Sequence, residues 1–189
     1  AVTIQEDSNM LVTGVNTAGS LSLSATGTLT DAAATSITVT TNASFTATGA
    51  LTLNDTAADI LSVGGNAAFT GTTVNVGPAG TFNAASLTFN SVGAVTIQED
   101  SATNLTGTST ALSLDLDSAG AITDAPNTLL TVTGNADLNG TAVTLGDNAL
   151  DITNFGSLTF TSPGAVTIQE DSNMLVTGVN TAGSLSLSA

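Results

Sequence analysis

Residues 1–25, AVTIQEDSNMLVTGVNTAGSLSLSA, recur without a single change as residues 165–189. A chain that repeats itself over a distance of 164 residues has to fold into something its own copy can extend. The first eight letters, AVTIQEDS, occur once more at 94–101, so the three copies are spaced 93 and then 71 residues apart. These blocks differ in length by 22 residues, and they align around that difference. LTFNSVGAVTIQEDS (87–101) matches LTFTSPGAVTIQEDS (158–172), and LSLDLDSAGAITDAPNTLLTVTGNA (112–136) matches LSLSATGTLTDAAATSITVTTNA (21–43). The longer block carries one additional segment of the same pattern, SFTATGALTLNDTAADILSVGGNA (44–67). A stack whose units touch only their neighbours can gain or lose a unit, whereas a closed sandwich cannot. The unit is therefore about 22–24 residues, with seven to the period.

Each unit reads as three short strands. The first has the form Ser20-Leu21-Ser22-Leu23, Ser86-Leu87-Thr88-Phe89 or Ser157-Leu158-Thr159-Phe160. A glycine follows, at Gly27, Gly49, Gly71, Gly93, Gly120, Gly140 and Gly164. The second strand centres on Val2, Leu29, Leu51, Val74, Val95, Ile122, Val143 and Val166, and the third is typified by Ile37-Thr38-Val39-Thr40 and Leu130-Thr131-Val132-Thr133. Apolar and polar residues alternate at period two, and Thr and Val favour the pleated backbone. No stretch carries a capped 3.6-residue pattern, so no significant helix is expected.

Three strands per 22–24-residue turn predict an all-β chain folded as a parallel β-solenoid, or β-helix. Inward Leu, Val, Ile, Ala and Phe would form one core, with Thr, Ser, Asn and Asp outside. Crossover chirality predicts a right-handed coil. Rungs about 4.8 Å apart would advance it roughly 34 Å per period. Residues 1–189 then form a single continuous solenoid segment, one 164-residue period plus a 25-residue overlap. The chain starts inside one strand-like run and stops inside another, which is the expectation for a window on a longer tandem array.

Composition limits the chemistry. There is no Lys, Arg, His, Cys, Trp or Tyr, against 15 Asp and Glu, for a formal charge of −15. Phosphate neutralisation needs cations, so nucleic acid is excluded as a partner, and anionic membranes are disfavoured. No apolar run is long enough for membrane insertion. Disulfides, Cys or His zinc sites and Schiff-base lysines are impossible. With 41% apolar residues and a mean hydropathy of +0.37, the chain is too hydrophobic to be disordered.

Stacked rungs turn equivalent positions into columns. One column is Thr3, Thr30, Thr52, Asn75, Thr96, Thr123, Thr144 and Thr167. Threonine there is first a β former whose hydroxyl bonds along the ladder. Ice binding would want two adjacent Thr columns, and Leu, Ile, Asp or Gln flank this one. A second column is acidic: Glu6, Asp7, Asp31, Asp55, Glu99, Asp100, Asp124, Asp147, Glu170 and Asp171, interrupted at the rung containing Gly77-Pro78. Like charges about 5 Å apart cost roughly 1 kcal/mol per pair in water, so something must offset the repulsion. Backbone N–H groups accepted in Asx turns are one answer. The other is a Ca²⁺ ladder, since that cation takes several oxygens, although no cofactor is required and the glycine-rich Ca²⁺ nonapeptide is absent. Asp115 and Asp117 form a smaller carboxylate pair.

Carboxylate pairs hydrolyse glycosides in other β-helices, but an active site is singular and these acids recur rung after rung. Without Trp or Tyr for sugar stacking, no enzyme is expected. Asn42, Asn54, Asn104 and Asn139 lie in N-x-S/T sequons, as a Ser/Thr/Asn-rich chain produces by chance.

Segments such as GAVTIQEDS, LTVTGNADL and GSLTFTSPG resemble the repetitive β-helix shafts of filamentous-haemagglutinin-type exoproteins and giant adhesins. The resemblance implies a secreted, extracellular or cell-surface fibre with no chemistry of its own. Its partners would be further copies of the repeat, in the same chain or head to tail, with lateral fibre contacts. A glycan- or surface-binding module using the outward Thr, Asn and Asp ladders is the alternative.

Overall fold

In a computed structural model describing residues 1–189, the chain coils into an all-β parallel solenoid of about nine turns. There is no helix, and so none long and apolar enough to cross a membrane. The first turn is β1 (Val2–Glu6), β2 (Met10–Val12) and β3 (Val15–Ala18), and the second is β4 (Leu21–Ala25), β5 (Leu29–Asp31) and β6 (Ser36–Val39). The third uses β7 (Ala43–Ala47), β8 (Leu51–Leu53) and the start of β9 (Ile60–Gly71). The fourth takes the rest of β9, β10 (Val74–Val76) and the start of β11 (Thr81–Ser91). Beyond these come β12 (Ala94–Glu99), β13 (Thr103–Leu105), β14 (Thr108–Ala111), β15 (Ser113–Ser118), β16 (Ile122–Asp124) and β17 (Leu129–Asn139). The chain closes with β18 (Val143–Leu145), β19 (Ile152–Thr161), β20 (Ala165–Gln169) and β21 (Ser184–Ser188).

All 21 strands belong to one sheet and every pairing is parallel, in register with the turn before except for shifts between Ala84 and Ser86 and between Val132 and Asn135. Alternation decides which side chains enter. In β12, Val95, Ile97 and Glu99 point in while Thr96 and Gln98 face outward. Thirty-nine buried apolar residues form one continuous cluster along the axis. Phe45 stacks on Phe69 at 5.5 Å between ring centroids, and Phe82 meets Phe69 edge-on at 5.7 Å. Such pairs add about 0.5–1.5 kcal/mol beyond the area they bury.

The glycines that follow the first strands are held there by proximity, not by turn conformation. None of the seven has a positive φ. A Cβ at Gly93 would collide with the Thr72 carbonyl of the rung below, and one at Gly164 with that of Thr141.

The seven-unit count needs a correction at the AVTIQEDS segments. β12 pairs below with β10, a second strand, but above with β15, the first strand of the next turn. β20 repeats this between β18 and β21. Each such segment is thus second strand to one turn and first strand to the next. Its unit holds four strands, and the strand pattern advances by one side of the solenoid. Turns that begin with AVTIQ are short: Val2, Val95 and Val166 stack on Leu21, Leu114 and Leu185, against Leu21 on Ala43 elsewhere.

The shift breaks the threonine column. Thr30, Thr52, Asn75 and Thr96 do stack, but Asp115 and Asp137 follow them. Thr123, Thr144 and Thr167 continue a different column from Asn104, and Thr3 lies under Ser22 and Ser44. The threonines therefore form no continuous column along the axis.

Candidate functional site

The predicted acidic residues separate into two kinds of position. Where the pattern shifts sides, the first part of β11 has a strand below it but none above. Glu99 and Asp100 supply the missing partner. Phe82 N–H donates to Asp100 Oδ2 at 2.9 Å, and Asp100 N–H returns a bond to the Phe82 carbonyl at 2.8 Å. Ala84 N–H donates to Glu99 Oε1 at 3.0 Å, and Thr103 and Ser101 hydroxyls donate to the same carboxylate at 2.7 and 3.1 Å. Glu99 is 3% exposed, and that burial pushes its carboxyl above the ordinary range against the pull of these donors.

Glu170 and Asp171 do the same for the uncovered start of β19. Thr153 N–H donates to Asp171 Oδ2 and Phe155 N–H to Glu170 Oε1, both at 2.9 Å. Glu170 Oε2 has no partner, because Met174 stands where the copy at 94–101 is followed by Thr103. Glu6 and Asp7 are exposed, and Ser8 hydroxyl bonds Glu6 Oε1 at 3.0 Å. Four of these six residues cap backbone N–H groups of the turn below, across 15–18 residues and not within a local Asx turn, and Glu6 and Asp7 are their sequence equivalents.

The other four gather at corners, each pair joined by an aspartate not anticipated. Asp31, Asp55 and Asp59 form one group and Asp124, Asp147 and Asp151 the other, with carboxylate oxygens within 4.8 Å of one another in each. Asp59 and Asp151 are the buried members, and each staples two loops. Asp59 accepts Thr35 N–H at 3.0 Å and Thr56 N–H and hydroxyl at 2.8 Å; Asp151 accepts Thr128 N–H at 3.0 Å and Asn148 N–H at 2.9 Å. Asp31 takes the Asn54 N–H, and Asp124 the Gly146 N–H, at 3.0 Å. Burial first, then the neighbouring carboxylates, push Asp31 and Asp124 up to about 6. A signal for the missed pair was present: Asp59 follows Asp55, and Asp151 follows Asp147, at the same interval in two aligned loops.

Three carboxylates this close can share a proton or accept a hard cation. Ca²⁺ prefers six to eight oxygens, and here both oxygens of Asp59 and of Asp151 already serve N–H donors. Asp115 and Asp117 are joined on their face by Asp137. Burial, then Asp117, raises the carboxyl of Asp137, while burial, then Asp117 and Asp137, raises that of Asp115. Asn139 and Gln98 amides donate to Asp117 at 2.7 and 3.2 Å.

Caps that recur at each internal side shift, and aspartate staples repeated at two corners, are the parts of a repeat protein, made of stacked units. The chain belongs to a family described as repeats of unknown function (DUF5649), which matches residues 1–63 and 92–159. Both matched segments start at or just before an AVTIQEDS copy. No curated protein matches the chain, and no solved structure does.

Proposed function

We propose that this chain is a shaft segment of a secreted, tandem-repeat extracellular fibre or adhesin stalk, with no chemistry of its own. The observation that carries the reading is the continuity of a 39-residue core and a single 21-strand ladder from one end of the described chain to the other. Backbone hydrogen bonds run along the axis, so length scales with repeat number at about 4.8 Å per turn. A surface without Lys or Arg gives trypsin-like proteases no site, as suits exposure outside a cell. Ca²⁺ at the two aspartate corners would be an accessory that offsets repulsion between them.

Antibodies raised against the purified repeat should label intact source cells, and electron microscopy of the native protein should show thin rods. Labelling only after lysis, or compact particles, overturns the reading. A glycan-binding role has one feature in its favour, a polar concavity lined by Gly77, Gln98, Asp100, Asp117, Asn139 and Thr161. A glycan array without hits removes it.

A further inference from the structure

We infer that AVTIQEDS is a turning element, and that successive 164-residue repeats present the same surface one third of a turn apart around the shaft. The solenoid has three sides, and each can be followed from turn to turn through its paired residues. On the first side the column rises from Gln5 to Asn90 in four turns. Three more, through Thr110 and Thr131, carry it to Asn154. A second side carries Thr96, Asp115, Asp137 and Thr159, and the third carries Asn104, Thr123, Thr144 and Thr167. The three AVTIQEDS copies therefore lie on three different sides: β1 on the first, β12 on the second and β20 on the third.

The period is thus not a whole number of turns. Seven turns lead from Gln5 to Asn154, and the chain then crosses the second side in β19 before β20 reaches the third. A repeat of whole turns would set every copy of a residue on one side. This one sets it two sides on, which is one side back, and every third copy returns to the start. Three periods make about 23 turns, or roughly 110 Å along the axis at about 4.8 Å per turn.

The element carries its own seal. Moving the pattern to a new side leaves N–H groups of the strand below without acceptors. The Glu-Asp pair supplies them, for Ala84 and Phe82 at one shift and for Phe155 and Thr153 at the next. The stapled loops show the result. Asp55–Asp59 lies on the edge between the second and third sides, and Asp147–Asp151 on the edge between the third and first. One further turning element moves the loop to the remaining edge. All three edges then carry acidic loops, so neighbouring shafts meet like charge at any rotational setting and find no uniform face to stack on. The inference rests on the shaft reading, because it takes the repeat to continue along one axis.

Cysteine pairs test the turn within this chain, which has no cysteine of its own. Thr96→Cys with Asp115→Cys should close a disulfide under mild oxidation, since register partners on parallel strands lie within bonding range. Thr96→Cys with Thr123→Cys should stay reduced, because those positions become partners only if the pattern runs straight on. Closure of the second pair, or of neither, overturns the turning element. The winding is tested by electron microscopy of the native protein, with a monovalent antibody fragment on the Asp55–Ala58 loop, which occurs once per period. Labels should sit about 37 Å apart along the rod and return to the same side at every third label. Labels along a single edge, or in any other order, overturn the winding and leave the shaft reading standing. Compact particles with no axis remove both.

Discussion

Asn66 and Thr106 lie forty residues apart, yet the Thr106 hydroxyl donates to Asn66 Oδ1 at 3.1 Å. The same oxygen accepts Ser86 and Thr88 hydroxyls at 3.1 and 3.2 Å, so one amide ties three turns together across the first internal side shift. Asn135 repeats the arrangement at the second, accepting Ser157, Thr159 and Thr177 hydroxyls at 2.8, 3.2 and 3.4 Å. A column change leaves side chains without regular ladder neighbours, and the asparagine replaces that order.

Asn66→Ala should therefore destabilise by about 1–2 kcal/mol, since three half-buried hydroxyls lose an acceptor but can turn partly to water. Urea denaturation measures it. Asn75→Ala, an asparagine in β10 paired in register with the turns on both sides, should cost less than half as much. Equal effects would reduce Asn66 to an ordinary surface residue.

The caps are a harsher case. Glu99→Ala strips the acceptor from Ala84 N–H and from the Thr103 and Ser101 hydroxyls in a site 3% exposed. The expected loss is about 3 kcal/mol or more. Glu99→Gln keeps one acceptor oxygen and should recover part of it. Amide exchange should localise the damage to Phe82 and Ala84 before the rest of β11. A uniform rise in exchange would contradict the capping role.

Internal repeats and period-two alternation made the solenoid legible, because both follow from stacking identical turns with one face inside. The side shift was not legible. AVTIQE alternates like any strand, and nothing local reveals that it has a second strand below and a first strand above. Glu99 follows in register from Val95 and Ile97 and so must point inward, but a glutamate reads as exposed until the Ala84 N–H that needs it is placed. Asp31, Asp55, Asp124 and Asp147 were recognised as acids that meet. Asp59 and Asp151 were missed because a loop brings them back, and loops carry no strand periodicity.

Asn54 is 1% exposed, has φ of 63°, and neither side-chain polar atom has a partner. The chain places glycine at the corresponding corners, Gly77 and Gly146, with φ of 79° and 71°. Asn54→Gly should stabilise by about 1 kcal/mol, as relief of backbone strain and of two buried orphan atoms outweighs lost packing beneath Gly80. Its sequon is too buried for glycan attachment in the folded chain. A lower melting temperature for Asn54→Gly would show that the packing term wins.

The aspartate corners set a pH dependence whose sign is fixed by the direction of the shift. Asp31 and Asp124 titrate near 6 when folded, against 3.8 for a free side chain. A carboxyl whose pKa is raised on folding binds protons preferentially to the folded chain. Its contribution is complete below 3.8 and disappears as pH climbs through about 6. The melting temperature in chelator should thus rise by a few degrees between pH 7 and pH 5. Asp31→Asn with Asp124→Asn keeps an oxygen to accept the Asn54 and Gly146 N–H groups but removes the charge. That variant should be more stable than the parent at pH 7, with the advantage gone at pH 5. An unchanged difference across that range would contradict the shared-proton account. A gain in the parent alone on adding Ca²⁺ at pH 7 would instead mark the corners as cation sites.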